Sequence, residues 1–269
     1  MRLITLEYHD VVAPGDFDGS GFPGPDAASY KMARPDFEAH LRALDAAYGG
    51  PRGRVDSLPS GGASVPVALT FDDGGRTALD PTAELLERHG WRGHFFMATD
   101  YIGTPGFMTE RHLRELAGRG HVVGTHSCTH PLRMSSCPPA QIDREWRDSV
   151  ARLAEILGAP VTVASVPGGG YSRAVASAAA AAGIRHLFTS EPVVRAHVVD
   201  GCTVLGRYTL RRDSPAALAA ALAAGDAAPR AAQWVSWNSR KALKRVAGPA
   251  YLALRQWMYS RGSSSVQAG

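Results

Sequence analysis

The chain has 269 residues, 45% of them hydrophobic and 20% charged, with Lys plus Arg exceeding Asp plus Glu by 29 to 25. Such a composition excludes a disordered or collagen-like chain, and no run approaches the roughly 18 apolar residues of a membrane-spanning helix. A net charge of +4 is too small for the broad basic surface of a nucleic-acid binder. Leu3 to Tyr8 reads as a first strand, broken by Glu7 and His9 too early for a secretory signal. The folded domain is therefore expected to begin almost at Met1. Cys128, Cys137 and Cys202 lack paired spacing, which fits a reducing, cytoplasmic setting.

Residues 16–30, rich in Gly, Pro and Asp, predict a long loop over the rim where the first strand ends, and Arg34-Pro35-Asp36 opens an amphipathic helix carrying Phe37, Leu41 and Leu44. A Gly/Pro/Ser linker at 51–64 precedes the apolar run Val65 to Leu69. A helix follows at about 81–89, then a strand at 93–98, a helix opened by Thr109 and His112, and the strand leading to Thr125. A helix over 139–157, a strand at 161–164, an Ala-rich helix over 172–182 and strands near 185–189 and 204–208 continue the alternation. Strands separated by helices of this length imply βαβ units and a parallel sheet. About seven strands predict a barrel slightly short of eight. Ala216 to Ala232 reads as one helix and a short connection.

Two strand endings carry the chemistry. The first runs into Thr70-Phe71-Asp72-Asp73-Gly74, paired carboxylates at a glycine turn; the second runs into His126-Ser127-Cys128-Thr129-His130, two imidazoles four positions apart. One Asp and two His can hold a divalent ion and leave a position open for water, with the histidines converging from one side of a helical turn. Such an ion acidifies water and polarises a carbonyl. Asp73, His126 and His130 are the expected ligands, and Asp72 is left as the base. Cys128 is expected to point away from that face and to pack. Either motif alone is commonly a solvated turn or a chance pair on a helix; both at the ends of apolar strands is where barrel enzymes gather catalytic groups.

These residues resemble the polysaccharide deacetylases of the NodB-homology type, carbohydrate esterase family 4, over about Leu3 to Thr209. The threonine-phenylalanine-aspartate-aspartate-glycine and histidine-serine/threonine-x-x-histidine motifs are matched in order, and Tyr8-His9 stands where bacterial members often have that pair. The resemblance implies a single-domain α/β fold, a distorted (β/α)7 barrel, with Asp72 as general base, Asp73, His126 and His130 on a metal, and removal of an N-acetyl group from an amino sugar. The implied metal is Zn2+, with Co2+, Ni2+ or Mn2+ as alternatives.

The third motif departs from the pattern. Ala164-Ser165-Val166-Pro167-Gly168-Gly169-Gly170-Tyr171 keeps the proline and glycines, but Ser165 stands where the family's arginine would orient the catalytic acid. Backbone N–H groups around Pro167, Gly168 and Gly169 could still hold an oxyanion; a turn requiring positive φ is the equal alternative. The family's aspartate-tryptophan and leucine-x-x-histidine elements are not recognisable. His9, ending the first strand, is the first candidate for the acid; a satisfied histidine supporting the site is the equal alternative, with Asp72 then returning the proton itself. His197 and the Arg207 to Arg212 stretch read more simply as surface charge.

The barrel is expected over residues 1–235, a basic aromatic helix over 236–262 and a disordered tail over 263–269. Ser239 to Val246 and Tyr251 to Tyr259 mix Lys and Arg with Trp, Tyr and Leu, a pattern that suits peripheral association with an anionic membrane or a closing helix with an aromatic face. The expected partner is an N-acetylated or lipid-linked saccharide, and the expected role is in polysaccharide or glycolipid synthesis. Two other readings stay open: a deformylase or other amide or imide hydrolase on the same metal, and a catalytically lapsed metal- or saccharide-binding protein.

Overall fold

A computed structural model describes residues 1–57 and 64–241. In chain order the elements are β1 (Ile4–Tyr8), β2 (Val11–Val12), α1 (Pro25–Ala28), β3 (Met32–Ala33), α2 (Arg34–Ala47), β4 (Val67–Phe71), α3 (Glu84–Arg88), β5 (Gly93–Met97), α4 (Glu110–Gly118), β6 (Val122–Thr125), α5 (Pro139–Leu157), β7 (Val163–Ser165), α6 (Arg173–Ala181), β8 (His186–Phe188), β9 (His197–Val199), β10 (Cys202–Leu205), β11 (Tyr208–Thr209) and α7 (Ala216–Ala224). Local chemistry sets many boundaries. Pro35 sits in the first turn of α2, where its missing N–H costs nothing, and a reciprocal Thr109–His112 capping box starts α4. Gly158, in the left-handed region, ends α5.

The sheet runs β11-β1-β4-β5-β6-β7-β8-β10-β9, parallel throughout except for β9 against β10. β10 and β11 are one course of chain interrupted at Gly206 and Arg207. Its first half pairs with β8, Thr203 opposite His186, and its second half pairs with β1, Leu6 opposite Tyr208. The two ends of the parallel run therefore meet, and the expected distorted (β/α)7 barrel is present. Gly206 is required at the crossing, since a Cβ there would lie 2.3 Å from the Glu191 carbonyl oxygen.

Side-chain alternation along the strands separates two layers. Leu3, Ala68, Phe96, Val122, Val163, Phe188 and Leu205, one from each parallel course or its start, pack together inside the barrel. Between sheet and helices lie Leu6, Leu69, Phe71 and Phe95 against Phe37, Leu41 and Leu44 of α2 and Leu222 of α7, each large side chain contributing about 1.5–3 kcal/mol by leaving water. Continuing the inward alternation past the apolar layer gives Glu7, Asp72, His126, Ser165 and Arg207.

Three expectations are corrected. The 16–30 loop contains α1, and β2, β3 and β9 were not foreseen. No helical turn follows β6: residues 126–130 are irregular, with Ser127 at φ 69° and His130 at φ 57°. After α7, Gly225 at φ 85° closes the helix and residues 227–241 form another. Within it Gln233 donates to the Thr209 carbonyl at 3.1 Å and Lys241 pairs with Glu191 at 2.7 Å. Of the basic aromatic helix expected over 236–262, residues 236–241 fall within this helix, and the remainder, with the tail after it, lies outside the described residues. Among the described residues no helix is long and apolar enough to cross a membrane.

Candidate active site

Asp72 and Asp73 follow β4, His126 and His130 follow β6, and Ser165 ends β7, so all five stand at carboxyl ends of parallel strands on one rim, with β5 between the acids and the histidines. The acids diverge because Asp73 adopts φ 75° and Gly74 φ 84°, backbone that a non-glycine residue takes only when its surroundings enforce it. Asp73 Oδ1 comes to lie 3.3 Å from His130 Nε2 and 3.6 Å from His126 Nε2. Ligands held about 2.0–2.2 Å from a tetrahedral ion are themselves about 3.4 Å apart. The three atoms are thus spaced to share one cation.

The surroundings fit that ion. Asp73 Oδ1 is buried and accepts no hydrogen bond, an orphan that a native interior rarely tolerates. His126 Nδ1 lies 2.9 Å from the Ser165 carbonyl oxygen and donates to it, which leaves Nε2 as a lone-pair donor toward Asp73. Burial, more than any neighbour, drives the His126 imidazole down to about 4, so at neutral pH it is the neutral ligand form. Burial would raise the Asp73 carboxyl, yet His130 and His9 outweigh it and hold the group at about 2. Burial likewise opposes a charged His130, and the Asp73 carboxylate reverses the sign. Phe22 of the rim loop packs on His130, ring centroids 4.8 Å apart.

Asp72 is held differently. Arg207 Nη1 donates to Asp72 Oδ1 at 2.7 Å and Nη2 to Oδ2 at 2.8 Å, a two-point grip. Nη2 also reaches Ser165 Oγ at 2.8 Å and Glu7 Oε1 at 3.1 Å, while Nε donates to the Thr189 carbonyl at 3.2 Å. Arg207 is 0% exposed. The expectation that it is surface charge is therefore wrong. The guanidinium lies against Ser165, the position where the third motif lacks one, but it comes from the β10–β11 crossing. Burial would raise the Asp72 carboxyl; Arg207 outweighs that and, with His126, holds it well below the ordinary carboxylate range. The signal in the sequence was its place two residues beyond the inward-facing Leu205.

His9 follows β1 on the same rim. A ring nitrogen lies within 4.8 Å of carboxylate oxygens of Glu7 and Asp72, Nδ1 is buried without a partner, and the ring lies 4.7 Å from that of Tyr30. Glu7, His9 and Asp72 do not suit a second cation, because Arg207 already occupies both carboxylates. The Pro167–Gly169 turn follows β7. Its glycines answer to space as well as conformation: Gly168 at φ 59° would place a Cβ 2.3 Å from the Leu132 carbonyl oxygen, and Gly169 at φ 67° would place one 2.9 Å from the Trp237 ring. Cys128 Sγ faces the Glu145 carbonyl at 3.6 Å, away from the triad, and burial pushes its thiol up to about 11.

Residues 61–187 match the family model for polysaccharide deacetylases. The chain is 28% identical over 169 residues to YxkH of Bacillus subtilis (strain 168), an alignment covering 61% of this chain and 60% of that protein. It is 32% identical over 124 residues to the peptidoglycan-N-acetylglucosamine deacetylase PgdA of Listeria monocytogenes serotype 1/2a (strain 10403S), covering 45% of this chain and 24% of PgdA. The chain thus spans less than two thirds of either relative. A polysaccharide deacetylase structure from Bacillus cereus shares the fold with a TM-score of 0.68 at 17% identity, over 83% of this chain and 69% of that one. The matched stretch enters just before β4 and ends within β8, enclosing both acids, both histidines and the β7 turn, and over it the chain is similar to the polysaccharide deacetylases.

Proposed function

We propose that this protein hydrolyses the N-acetyl group of an amino sugar in a polysaccharide or glycolipid, using a divalent ion, Zn2+ first among the candidates, held by Asp73, His126 and His130. The observation that carries this reading is the unpartnered Asp73 Oδ1 at 3.3 and 3.6 Å from two imidazole Nε2 atoms, with the Asp72 carboxylate 3.7 Å from His126. When bound, the ion supplies Lewis acidity for the acyl carbonyl and for water.

The chain's own residues do the rest. Asp72 accepts the proton of the attacking water. Its low proton affinity makes it a base by position: Arg207 and Ser165 fix its carboxylate, and the proton it takes is passed on readily. As the C–O bond forms, backbone N–H groups of the 167–169 turn steady the oxyanion. As the C–N bond breaks, His9 delivers a proton to the departing amine, giving acetate and a free amino sugar. His126, fixed by the Ser165 carbonyl, keeps its tautomer throughout.

Metal analysis of the purified protein, joined to an acetate-release screen on N-acetylated oligosaccharides and lipid-linked saccharides, tests the proposal. Bound Zn2+ or Co2+ near one equivalent and acetate release that stops in Asp73→Ala support it. Formate release, or turnover of a cyclic imide in place of any saccharide, replaces the acetyl-sugar reading with the amide or imide hydrolase. Metal binding without turnover of any of these leaves a binding protein.

A further inference from the structure

From one histidine to the other the backbone is irregular over five residues, with Ser127 and His130 in the left-handed region. Such backbone costs roughly 1–3 kcal/mol per residue and persists only where neighbours over-determine it. The neighbour is α5. Glu145, 4% exposed, accepts the Cys128 N–H at 2.8 Å and the Thr129 N–H at 2.9 Å on Oε2, and the Thr129 hydroxyl at 2.5 Å on Oε1. One turn further along, Ser149 donates to the Glu145 carbonyl at 2.6 Å and receives the Thr125 hydroxyl at 2.7 Å. Thr125 Oγ1 in turn accepts the Ser127 N–H at 3.0 Å, and Ser127 Oγ accepts the His130 N–H at 3.2 Å.

We propose that Glu145 is the positioning residue that presets the His126–His130 half of the metal centre, an inference that rests on the metal reading above. The three donors aimed at its carboxylate all belong to the loop, and none is a cation. If the loop relaxed, a buried carboxylate would lose its compensation, which is far costlier than losing an ordinary hydrogen bond. Loop and carboxylate are therefore committed to one arrangement. In it the His130 ring stands 3.3 Å from Asp73, and the ordering cost of the loop is met during folding instead of on binding. Glu145 touches neither ion nor substrate; it acts through residues 128 and 129.

The test is metal affinity, read without turnover. Full-length protein is stripped with a chelator and titrated with Co2+, followed by visible absorption and by competition with a chromophoric chelator. Glu145→Ala is expected to weaken Co2+ binding roughly 10–100-fold, the usual effect of losing a residue that supports a ligand, and to change the absorption band shape. Glu145→Gln keeps an oxygen for the two N–H groups and offers its amide to the Thr129 hydroxyl, so it is expected to restore affinity to within about 5-fold. A Glu145→Ala protein with wild-type circular dichroism that binds Co2+ as tightly as wild type overturns the inference and leaves the metal reading intact. If that variant does not fold, Thr129→Val decides: a loss of about 2–10-fold supports the inference, and unchanged affinity overturns it. Wild-type protein that binds no Co2+ overturns the metal reading and this inference with it.

Discussion

Arg207 and Asp72, 135 positions apart in sequence, meet through two parallel hydrogen bonds of 2.7 and 2.8 Å in the interior of the barrel. The same guanidinium serves Glu7 at 3.1 Å, so a single cation compensates two buried carboxylates. Removing one partner of such a cluster leaves uncompensated charge behind, which costs about 3–5 kcal/mol. Arg207→Met is expected to lower stability by that amount in urea unfolding, and Arg207→Met combined with Asp72→Asn and Glu7→Gln to recover most of it. A single variant within about 1 kcal/mol of wild type would contradict this account. Arg207→Lys is expected to fall well short of wild type, since an ammonium cannot grip both oxygens in one plane.

Asp72→Asn keeps the shape of the side chain and removes its ability to take a proton. Turnover is expected to fall by roughly 10²–10⁴-fold while metal content by elemental analysis stays at the wild-type level. Loss of metal in this variant would make Asp72 a ligand and move the base elsewhere.

His9→Ala addresses the acid. It is expected to lower kcat by roughly 10–10³-fold with unchanged metal content, and added imidazole is expected to restore part of the rate by diffusing into the space left beside Asp72. Wild-type kinetics in the variant would return the proton transfer to Asp72 alone.

A fourth expectation concerns acid stability and a histidine outside the chemistry. His94 Nε2 accepts the Val55 N–H at 2.9 Å, and Nδ1 donates to the Leu69 carbonyl at 3.1 Å, so the neutral ring satisfies both partners and a second proton, on Nε2, would collide with the Val55 N–H. Burial pushes the imidazole from 6.5 down to about 4. The folded protein keeps it neutral while the unfolded chain takes up a proton below pH 6.5, so this contribution is complete above 6.5 and is lost as pH falls toward 4. The loss amounts to about 3 kcal/mol. His94→Phe is expected to be less stable at neutral pH but to show a flatter decline over that window in chemical denaturation; an equal slope in both proteins would remove His94 as the cause.

The cluster of Asp73, His126 and His130 was legible because its signals are local. Asp73 and the two histidines sit within a few residues of strongly apolar strand ends, and the strands themselves are short runs whose neighbours in sequence become neighbours in space. The path between the histidines was not legible as such: spacing of four suggested a helical turn, whereas Glu145 and Thr125 stabilise left-handed backbone that no local preference favours. Arg207 was hidden for a different reason. Charge on a sequence is ordinarily surface charge, and only the register of β10 against β8, together with the switch to β1, places this residue inside. Glu145 is one of many polar positions on a long helix, and nothing local in the sequence marks the one whose carboxylate lies under the loop.

The crossing at Gly206 and Arg207 has a consequence for how such barrels can be found and can change. In a ring of parallel strands every strand ends facing one centre, so a charge required there can be delivered from any of several places around the ring. Order along the gene then constrains the ligands that must lie on adjacent loops far more than it constrains a long, reaching side chain. Here the stretch shared with relatives closes at residue 187, twenty positions before the arginine. A motif scan would score this chain as lacking an arginine that it carries elsewhere, and a fragment cut at the shared boundary would keep Asp73, His126 and His130 and lose both the seam of the barrel and the cation that grips Asp72.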